Sequence, residues 1–466
     1  MTRTRHKHPP KPAARFTRRA GLKLLGGGTT ALAFPHLWIP NTALAQTSGR
    51  GSAKHLIYIR LSGGFRFSTA FNADVASQYN PFGVSRQQTA ASWGVGSLLD
   101  ESAWLTDELR ALGLRRTSEL AEDIAVIPCV DHEPLAGSAD GNHRTGLERF
   151  LTGHANGDLG LFTMINHGLR EKMAQAGAEG RVLLPAIILG EPGIGLGAGE
   201  YAASRPPVLR GGDLQRFGFN TDTLLPPWAQ DLTKAYTSRF HDEQNKGHFG
   251  AIEAYVQARS ATRAYSEIFS SDALKIGNGS NEAFDGISNA ELEQIFGDSR
   301  ASRNIQVALR LFHFGCPAAY LDQGGYDMHS DEDENLPTRF QELNRLISAL
   351  HLALKRMVHP TGGSYWDHVI VALGSEFSRT ARGGRFNSAG GSDHGGDLAT
   401  RWMSMPFMGG PIKAAGQQIG GTRPADLAAE GPVYSYRATM KTLFDALDVD
   451  HREFFPADKP FDDLFG

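Results

Sequence analysis

Short apolar runs rich in β-branched residues recur along the chain, and stretches with helical periodicity separate them. This alternation is typical of a mainly parallel sheet covered by helices. The predicted strands are residues 56–61, 124–130, 183–189, 318–321 and 369–373. The pattern therefore predicts an α/β fold with a mainly parallel central sheet and helices on both faces.

Two helices follow from apolar residues spaced three and four positions apart. The first lies between the last two predicted strands and carries Phe340, Leu343, Ile347, Leu350, Leu354 and Met357. The second lies near the C-terminus and carries Met440, Leu443, Phe444 and Leu447. This spacing puts the apolar side chains of each helix on one face, which predicts that both helices pack against the sheet.

The middle of the chain interrupts this pattern. Residues 191–300 open with alternating glycines at 193, 195, 197 and 199, pass through Pro206 and Pro207, and then become helical from about residue 250 to 269. No helical pattern follows the glycines at once, so they favour a plain loop over a nucleotide-binding loop. We therefore predict one large domain, residues 46–466, with an insertion or cap at about 191–300.

The N-terminus has the composition of an export signal. Eight basic residues lie within the first 23 positions, and no acidic residue occurs before position 46. A weakly apolar stretch follows and ends in Ala43-Leu44-Ala45, which predicts cleavage after Ala45. The glycines within this stretch make it too polar for a comfortable membrane span, which needs roughly 20 apolar residues.

The pair Arg18-Arg19 followed by Leu22-Lys23 resembles the twin-arginine consensus. The twin-arginine translocase exports folded proteins, often with a cofactor already bound, so the resemblance implies a periplasmic or secreted protein and makes a metal more plausible. A general secretory signal or a retained anchor are the alternatives. After cleavage we expect no stable membrane span.

Removing the signal makes the mature chain acidic. Of 47 basic residues 39 remain against 50 acidic ones, which gives a net charge of about −11 in place of −3. This balance argues against a nucleic-acid partner. The two cysteines, Cys129 and Cys316, are compatible with either a disulfide or two buried thiols.

Ionisable residues follow two of the predicted strands, where ligands bind in open α/β sheets. Asp327 and His329 follow one strand, Glu376 and Arg379 follow another, and Asp393 and His394 lie in a glycine-rich loop beyond them. Carboxylates and imidazoles together are ligands for Zn²⁺, Mn²⁺ or Fe, although each motif alone is also common as a surface pair. Arg379 and Arg382 are either anion clamps or solvated loop arginines.

A further candidate segment follows the strand at 124–130. Asn142, His143 and Thr145 lead into a helix, and helix N-termini bind anions and activate nucleophiles. His143 or Thr145 would then face a phosphate or sulfate. The alternative is that Asn142 is merely the N-cap of this helix.

These motifs together resemble the bacterial secreted family called domain of unknown function 1501. The resemblance lies in Gly325–His329, in Ser375–Thr380, in Ser392-Asp393-His394-Gly395, in a strand-like segment at Met408–Lys413 and in Tyr436-Arg437-Ala438-Thr439. The family is usually placed with the alkaline phosphatase and sulfatase superfamily. The resemblance therefore implies an alkaline-phosphatase-like fold and hydrolysis of phosphate or sulfate esters. It also implies that Asp327, His329, Glu376, Asp393 and His394 are metal ligands or close neighbours of the metal.

Two positions depart from the family pattern. Phe65 and Arg66 stand where the family carries an aspartate after the first strand, and Asn142 stands where it carries a serine. A lost carboxylate and an added positive charge would both weaken a two-metal site. One metal, or none, is therefore compatible with the sequence.

Two main hypotheses result. The first is an exported metal-dependent hydrolase that uses Zn, Mn or Ca, in which Arg379 or Arg66 holds the anion and Thr145 or water attacks. Its substrate would be a small anionic ester or a sulfated or phosphorylated polymer. The second is a catalytically degenerate relative that binds an envelope polysaccharide or a partner protein. An oxidoreductase has the least support, since the chain has no extended histidine or cysteine cluster.

Overall fold

The computed structural model describes residues 51–72, 103–132, 141–178, 183–190, 194–209, 283–381, 391–394 and 400–465, together with the single residues 268 and 276. The predicted signal peptide, Arg382 and much of the predicted insertion lie outside these ranges. Within them, no helix is both long enough and apolar enough to cross a membrane.

Eight of the described strands form one central sheet in the order β12-β2-β9-β8-β1-β7-β3-β4. Their bounds are β1 His55–Leu61, β2 Ile124–Asp131, β3 Ile187–Leu189, β4 Val208–Leu209, β7 Ala318–Gln323, β8 Val369–Gly374, β9 Trp402–Met408 and β12 Tyr434–Ser435. Only β9 runs antiparallel to its neighbours. The predicted mainly parallel α/β fold is confirmed.

Four short strands form two small ribbons apart from this sheet. These strands are β5 Ala283–Phe284, β6 Ile287–Ser288, β10 Gly421–Thr422 and β11 Ala429–Glu430. β5 pairs with β6 and β10 pairs with β11, both antiparallel.

The described helices carry the connections between the strands. They are α1 Asp107–Ala111, α2 His143–Thr152, α3 Leu161–Gly168, α4 Arg170–Ala178, α5 Asn289–Phe296, α6 Arg300–His313, α7 Glu332–Arg356 and α8 Tyr436–Ala446. The apolar face predicted from Phe340 to Met357 is buried, and α7 begins at Glu332, about two turns before this apolar pattern. The predicted C-terminal helix is confirmed as α8.

The register of the central strands brings their carboxyl ends to one edge of the sheet. Arg60 of β1 is aligned with Asp322 of β7 on one side and with Gly374 of β8 on the other. The loops after β1, β7 and β8 therefore begin side by side. Asp327 lies in the loop after β7 and Glu376 lies in the loop after β8, so both residues lie at this edge of the sheet.

Two strand predictions need correction. The strand predicted at 183–189 begins only at Ile187. Pro185 has no N–H for a sheet ladder, and the N–H of Ala186 donates to the Asn166 side chain at 2.7 Å. The strand-like segment at 408–413 is a turn after β9, in which Gly409 has a φ of +132°. β9 itself spans residues 402–408. The sequence pattern did not predict this strand, because its methionines and Pro406 are not β-branched.

The two cysteines are free thiols in the structure, and both are buried. Cys129 lies in β2, and Cys316 precedes β7. Of the two alternatives left by the sequence, the structure therefore has the buried thiols.

Candidate metal centre

Helix α2 begins at this edge and presents His143 as its first residue. Asn142 is the N-cap, because its side-chain oxygen accepts hydrogen bonds from the N–H groups of Arg144 (2.9 Å) and Thr145 (3.2 Å). The first turn packs closely against the residues after β8, since a Cβ on Gly146 would lie 2.8 Å from the carbonyl oxygen of Glu376. This contact seats His143 beside Glu376.

Five side chains from three segments meet in front of this helix end. Two groups of three residues have ligand atoms within 4.8 Å of one another, and they share His394. One group is His143, Asp327 and His394, and the other is His329, Asp393 and His394. The structure thus brings together four of the five residues implied as metal ligands and adds His143.

Carboxylates and imidazoles alternate within the cluster. Asp327 lies between two histidines, with Oδ1 3.1 Å from His329 Nε2 and Oδ2 3.3 Å from His143 Nε2. His329 Nδ1 lies 3.5 Å from Asp393 Oδ1. The side chains of His143, Asp327, His329 and Asp393 are 40–46% exposed, so a small ion or an ester can reach them from solvent.

Glu376 lies behind His143 and outside both groups. Its carboxylate is buried and accepts hydrogen bonds at Oε1 from the N–H of Gly63 (2.8 Å) and from His143 Nδ1 (3.2 Å). Because Nδ1 is held in this way, Nε2 of a neutral His143 carries the lone pair. Glu376 therefore occupies the neighbouring position that the resemblance allowed, where it orients His143.

Arg379 holds Asp327 from the buried side. Its side chain is 0% exposed, and Nη1 donates to Asp327 Oδ1 and to the carbonyl of Gly63, both at 2.8 Å. Nε and Nη2 bind Ser392 at 2.9 and 2.7 Å. All three guanidinium nitrogens are thus engaged with the protein, so Arg379 would have to rearrange to clamp a substrate anion.

Gly63 is required where β1 turns toward this site. Its φ is +117°, and a Cβ there would lie 2.4 Å from the backbone nitrogen of Asp327. Both the conformation and the close approach favour glycine. The backbone of Gly63 thereby connects Glu376, which accepts from its N–H, with Arg379, which donates to its carbonyl.

The prediction that Arg66 holds the anion is wrong. Its side chain is 1% exposed and forms a buried ion pair with Glu332, with 2.8 Å between Nη1 and Oε2. Glu332 also accepts from the hydroxyl of Ser392 at 3.2 Å. The charge of Arg66 is neutralised by Glu332 and contributes to a buried network behind the site.

The protonation states are set by this arrangement. The hydrogen bond to Glu376 is the largest cause that raises the pKa of His143. Burial and the neighbouring His143 and Arg379 lower the pKa of His394. Although burial opposes it, the hydrogen bond and the charge of Arg379 hold the pKa of Asp327 below its usual range. At neutral pH the cluster thus offers an ionised Asp327 and a neutral His394.

This donor set fits a divalent transition metal. Nε2 of His143 belongs to the first group and lies 3.3 Å from Asp327 Oδ2, but it forms no hydrogen bond with a described residue. Imidazole nitrogen and carboxylate oxygen are the ligands preferred by Zn²⁺ and Mn²⁺. A neutral imidazole has one lone pair for a metal, so His394 can bind only one ion at a time. Because both groups need His394, the cluster favours a single ion.

Thr145 lies in the first turn of α2, two residues beyond His143. Its hydroxyl donates to the carbonyl of Asn142 at 3.3 Å. The N-cap role of Asn142, which the sequence left as an alternative, is confirmed.

Sequence reasoning missed Arg60, whose Nε lies 2.7 Å from Asp322 and 3.9 Å from Glu376. Its position near the end of the predicted strand 56–61 was the signal that the sequence offered.

Comparisons with known proteins give a family and some distant structural similarities. The model of the family described as "Protein of unknown function (DUF1501)" matches residues 225–462, just over half of the chain. A search of curated protein sequences gives no match.

Two solved structures illustrate the similarity. Ps i-CgsB, also solved in complex with k-i-k-neocarrahexaose, is 10% identical over 88% of this chain and 75% of its own, with a TM-score of 0.38. Lipooligosaccharide phosphoethanolamine transferase A from Neisseria meningitidis is 9% identical over 93% of this chain and 61% of its own, with a TM-score of 0.30. At such identities and TM-scores, neither likeness assigns a function to this chain.

Proposed function

The chain belongs to the DUF1501 family, and on that premise we propose that it is an exported metal-dependent hydrolase of phosphate or sulfate esters. The observation that carries the proposal is the pair of three-residue groups that share His394. An open cluster of imidazoles and carboxylates at the carboxyl edge of a parallel sheet suits metal-assisted hydrolysis.

Each residue of the cluster has a distinct task in this proposal. His143, Asp327 and His394 would hold the ion, with His329 and Asp393 as the second group of donors. A bound divalent ion would polarise an ester oxygen and make water a better nucleophile. Glu376 keeps Nε2 of His143 directed at the site, and Arg379 keeps Asp327 in place.

Water is the nucleophile that the geometry favours. The hydroxyl of Thr145 donates to the helix backbone, and Asn142 occupies two N–H groups of the first turn. A side-chain nucleophile at Thr145 would have to release the first of these bonds. In this proposal Thr145 borders the substrate from the first turn of α2, His143 of the same turn would help to hold the ion, and water would be the attacking group.

The substrate class follows from charge. A mature chain of about −11 repels large anions in general, so an anionic ester would have to be recognised locally, by the bound metal. We propose a small anionic ester or a sulfated or phosphorylated polymer. Export through the twin-arginine translocase, with the metal loaded before export, would place the enzyme in the periplasm or outside the cell.

Turnover of p-nitrophenyl phosphate and p-nitrophenyl sulfate tests this function. We expect hydrolysis that is abolished by a chelator, restored by Zn²⁺ or Mn²⁺ and lost in Asp393→Asn. The matched control is Asp450→Asn, which changes a carboxylate that pairs with Arg452 outside the cluster. Metal binding without turnover of either ester class would contradict the hydrolase and favour the alternative, a degenerate relative that binds an envelope polysaccharide or a partner protein.

A further inference from the structure

A second polar cavity lies along the same edge of the sheet. It has a volume of about 320 Å³, which is within the range of small-molecule sites. The ends of β1 and β7, the first turn of α6 and part of α7 form its walls. Arg60 lies between this cavity and the metal cluster, because its Nε is 2.7 Å from Asp322 and 3.9 Å from Glu376.

Two buried acceptors belong to side chains that line this cavity. They are Oδ2 of Asp322 and Oε1 of Gln323, and neither has a hydrogen-bond partner among the described residues. Gln323 as a whole is only 4% exposed. Because buried polar atoms in proteins are nearly always hydrogen-bonded, these two acceptors indicate a ligand that donates hydrogen bonds.

The carboxylate of Asp322 is held so that one oxygen is left for a ligand. Its Oδ1 accepts from the hydroxyl of Tyr320 at 2.6 Å and lies 2.7 Å from Arg60 Nε. Gly190, which follows β3, leaves room beside the other oxygen, because the Cβ that it lacks would lie 3.6 Å from Oδ2. A ligand hydroxyl can therefore approach Oδ2 without displacing a protein group.

Ser62 adds a donor to the same cavity. Its N–H donates to the carbonyl of Gln323 at 2.8 Å, which fixes Ser62 beside Gln323. Its hydroxyl oxygen accepts from Arg60 Nη2 at 2.7 Å, so the hydroxyl hydrogen can be donated to a ligand. A ligand that matches these groups donates to two acceptors and accepts from one hydroxyl.

The paired charges and the acceptors together favour an uncharged ligand. Asp322 pairs with Arg60 at 2.7 Å and Glu342 pairs with Arg339 at 2.8 Å, so neither carboxylate offers an unpaired charge to a cation. An inorganic anion such as sulfate has no hydrogen to donate to Gln323. Hydroxyl groups both donate and accept hydrogen bonds and carry no charge.

We infer that this cavity binds a neutral, hydroxyl-rich ligand of the size of a monosaccharide. One ligand hydroxyl donates to Oε1 of Gln323 and another donates to Oδ2 of Asp322, while a ligand oxygen accepts from Ser62. The inference goes beyond the proposed function, because it requires neither a bound metal nor turnover.

Calorimetric titration of the chelator-treated protein with D-glucose, D-galactose and D-mannose tests the inference. We expect at least one of these sugars to bind. Gln323→Leu should weaken this binding about fivefold, because one hydrogen bond to the ligand is lost. The fold should be retained, which circular dichroism measures, since leucine fills the same place without a buried acceptor.

Gln306→Leu is the matched control. Gln306 is 1% exposed and its Oε1 also lacks a partner among the described residues, but it does not line the cavity. This variant should therefore bind the sugar as the unmodified protein does. Asp327→Asn, in the metal cluster, should also leave sugar binding unchanged.

Permethylated glucose tests the need for donors on the ligand. It has no hydroxyl to donate, so it should not bind. Failure of all three sugars to bind would overturn the inference, and so would equal weakening in Gln323→Leu and Gln306→Leu, loss of binding in Asp327→Asn, or equal binding of the permethylated sugar. Sugar binding by a protein that hydrolyses no ester would instead contradict only the proposed function.

Discussion

Two histidine clusters lie at opposite ends of the same strands, and they differ in their neighbours. At the amino end, His55 opens β1, and His359 and His368 precede β8. His55 Nε2 lies 2.9 Å from His359 Nε2, and His55 Nδ1 lies 2.7 Å from the carbonyl of Cys316. At the carboxyl end, Asp327 and Asp393 lie between the histidines.

The ring nitrogens of His55 and His359 in the amino-end cluster all have hydrogen-bond partners without any ion. A carbonyl only accepts, so His55 Nδ1 is the donor and His55 Nε2 accepts from His359 Nε2. His359 Nδ1 then accepts from the N–H of Thr361 at 3.2 Å. Asp285, whose charge acts on His359, is engaged with His313 and with the hydroxyl of Tyr365. Burial lowers the pKa of His55 to about 3 and that of His359 to about 4, so both are neutral.

The comparison shows that histidine content alone does not make a metal site. The amino-end histidines satisfy one another and the backbone, whereas the carboxyl-end cluster combines exposed imidazoles with carboxylates held from behind. Among the described residues, groups with metal-ligand spacing occur only at the carboxyl end. Four substitutions test this contrast.

The largest effect is expected from the buried pair behind the carboxyl-end cluster. Arg66→Met leaves Glu332 as an uncompensated buried charge, which should cost about 3–5 kcal/mol of unfolding free energy. Chemical denaturation at pH 7 measures it. The double variant Arg66→Met/Glu332→Leu should recover most of the loss, and a loss below about 1 kcal/mol in the single variant would refute the buried pair.

The amino-end cluster should make the protein sensitive to acid. The pKa of His55 is about 3 when folded and about 6.5 when unfolded, so the unfolded chain takes up a proton first as pH falls from 6.5 toward 3. Its contribution to stability is therefore complete above pH 6.5. At pH 5 it should have decreased by about 2 kcal/mol relative to pH 7.

Denaturation of His55→Phe at pH 7 and pH 5 measures the contribution of His55 to the unfolding free energy. The new ring would stack on Phe312, as the imidazole does at 4.5 Å between centroids. The pH dependence should become shallower, and His451→Phe, a change outside both clusters, serves as the control. An unchanged slope in His55→Phe would show that His55 is not held neutral.

Glu376→Gln tests whether a buried carboxylate directs His143. We expect at least about a tenfold loss of metal affinity with the fold retained, because such partners orient metal-ligating histidines. Competition with a chelator measures the affinity, and circular dichroism the fold. Glu342→Gln is a matched control outside the cluster. Equal affinity in both variants would mean that His143 does not depend on Glu376.

The smallest effect concerns the N-cap of α2. Asn142→Ala should reduce the unfolding free energy by about 1 kcal/mol, the usual contribution of an N-cap, and leave metal content unchanged. Thermal unfolding and metal analysis measure the two quantities. Loss of the metal in this variant would assign Asn142 a direct part in the site.

The sequence predicted what depends on local pattern. The apolar runs of β1, β2, β7 and β8 and the apolar face of α7 were predicted from the sequence, because burial on both sides of a parallel sheet selects apolar residues. β9 was missed, since Pro406 and its methionines are atypical of a central strand. At the site, the tendency of ligands to bind at the carboxyl ends of strands led to Asp327, His329, Asp393 and His394. The partners of each arginine could not be predicted in this way, because they depend on the tertiary arrangement. Arg66 and Arg379 both look like anion clamps in sequence, yet both are buried against acidic side chains.

Metal binding by the carboxyl-end cluster is tested most directly by elemental analysis of the protein, expressed with its own signal and purified without chelator. Asp327→Ala/His394→Ala and the matched control Asp450→Ala/His451→Ala are analysed beside it. We expect about one equivalent of a divalent metal in the unmodified protein and the control, and none in the cluster variant. No metal in the unmodified protein, or the same metal content in all three, would contradict metal binding by the cluster.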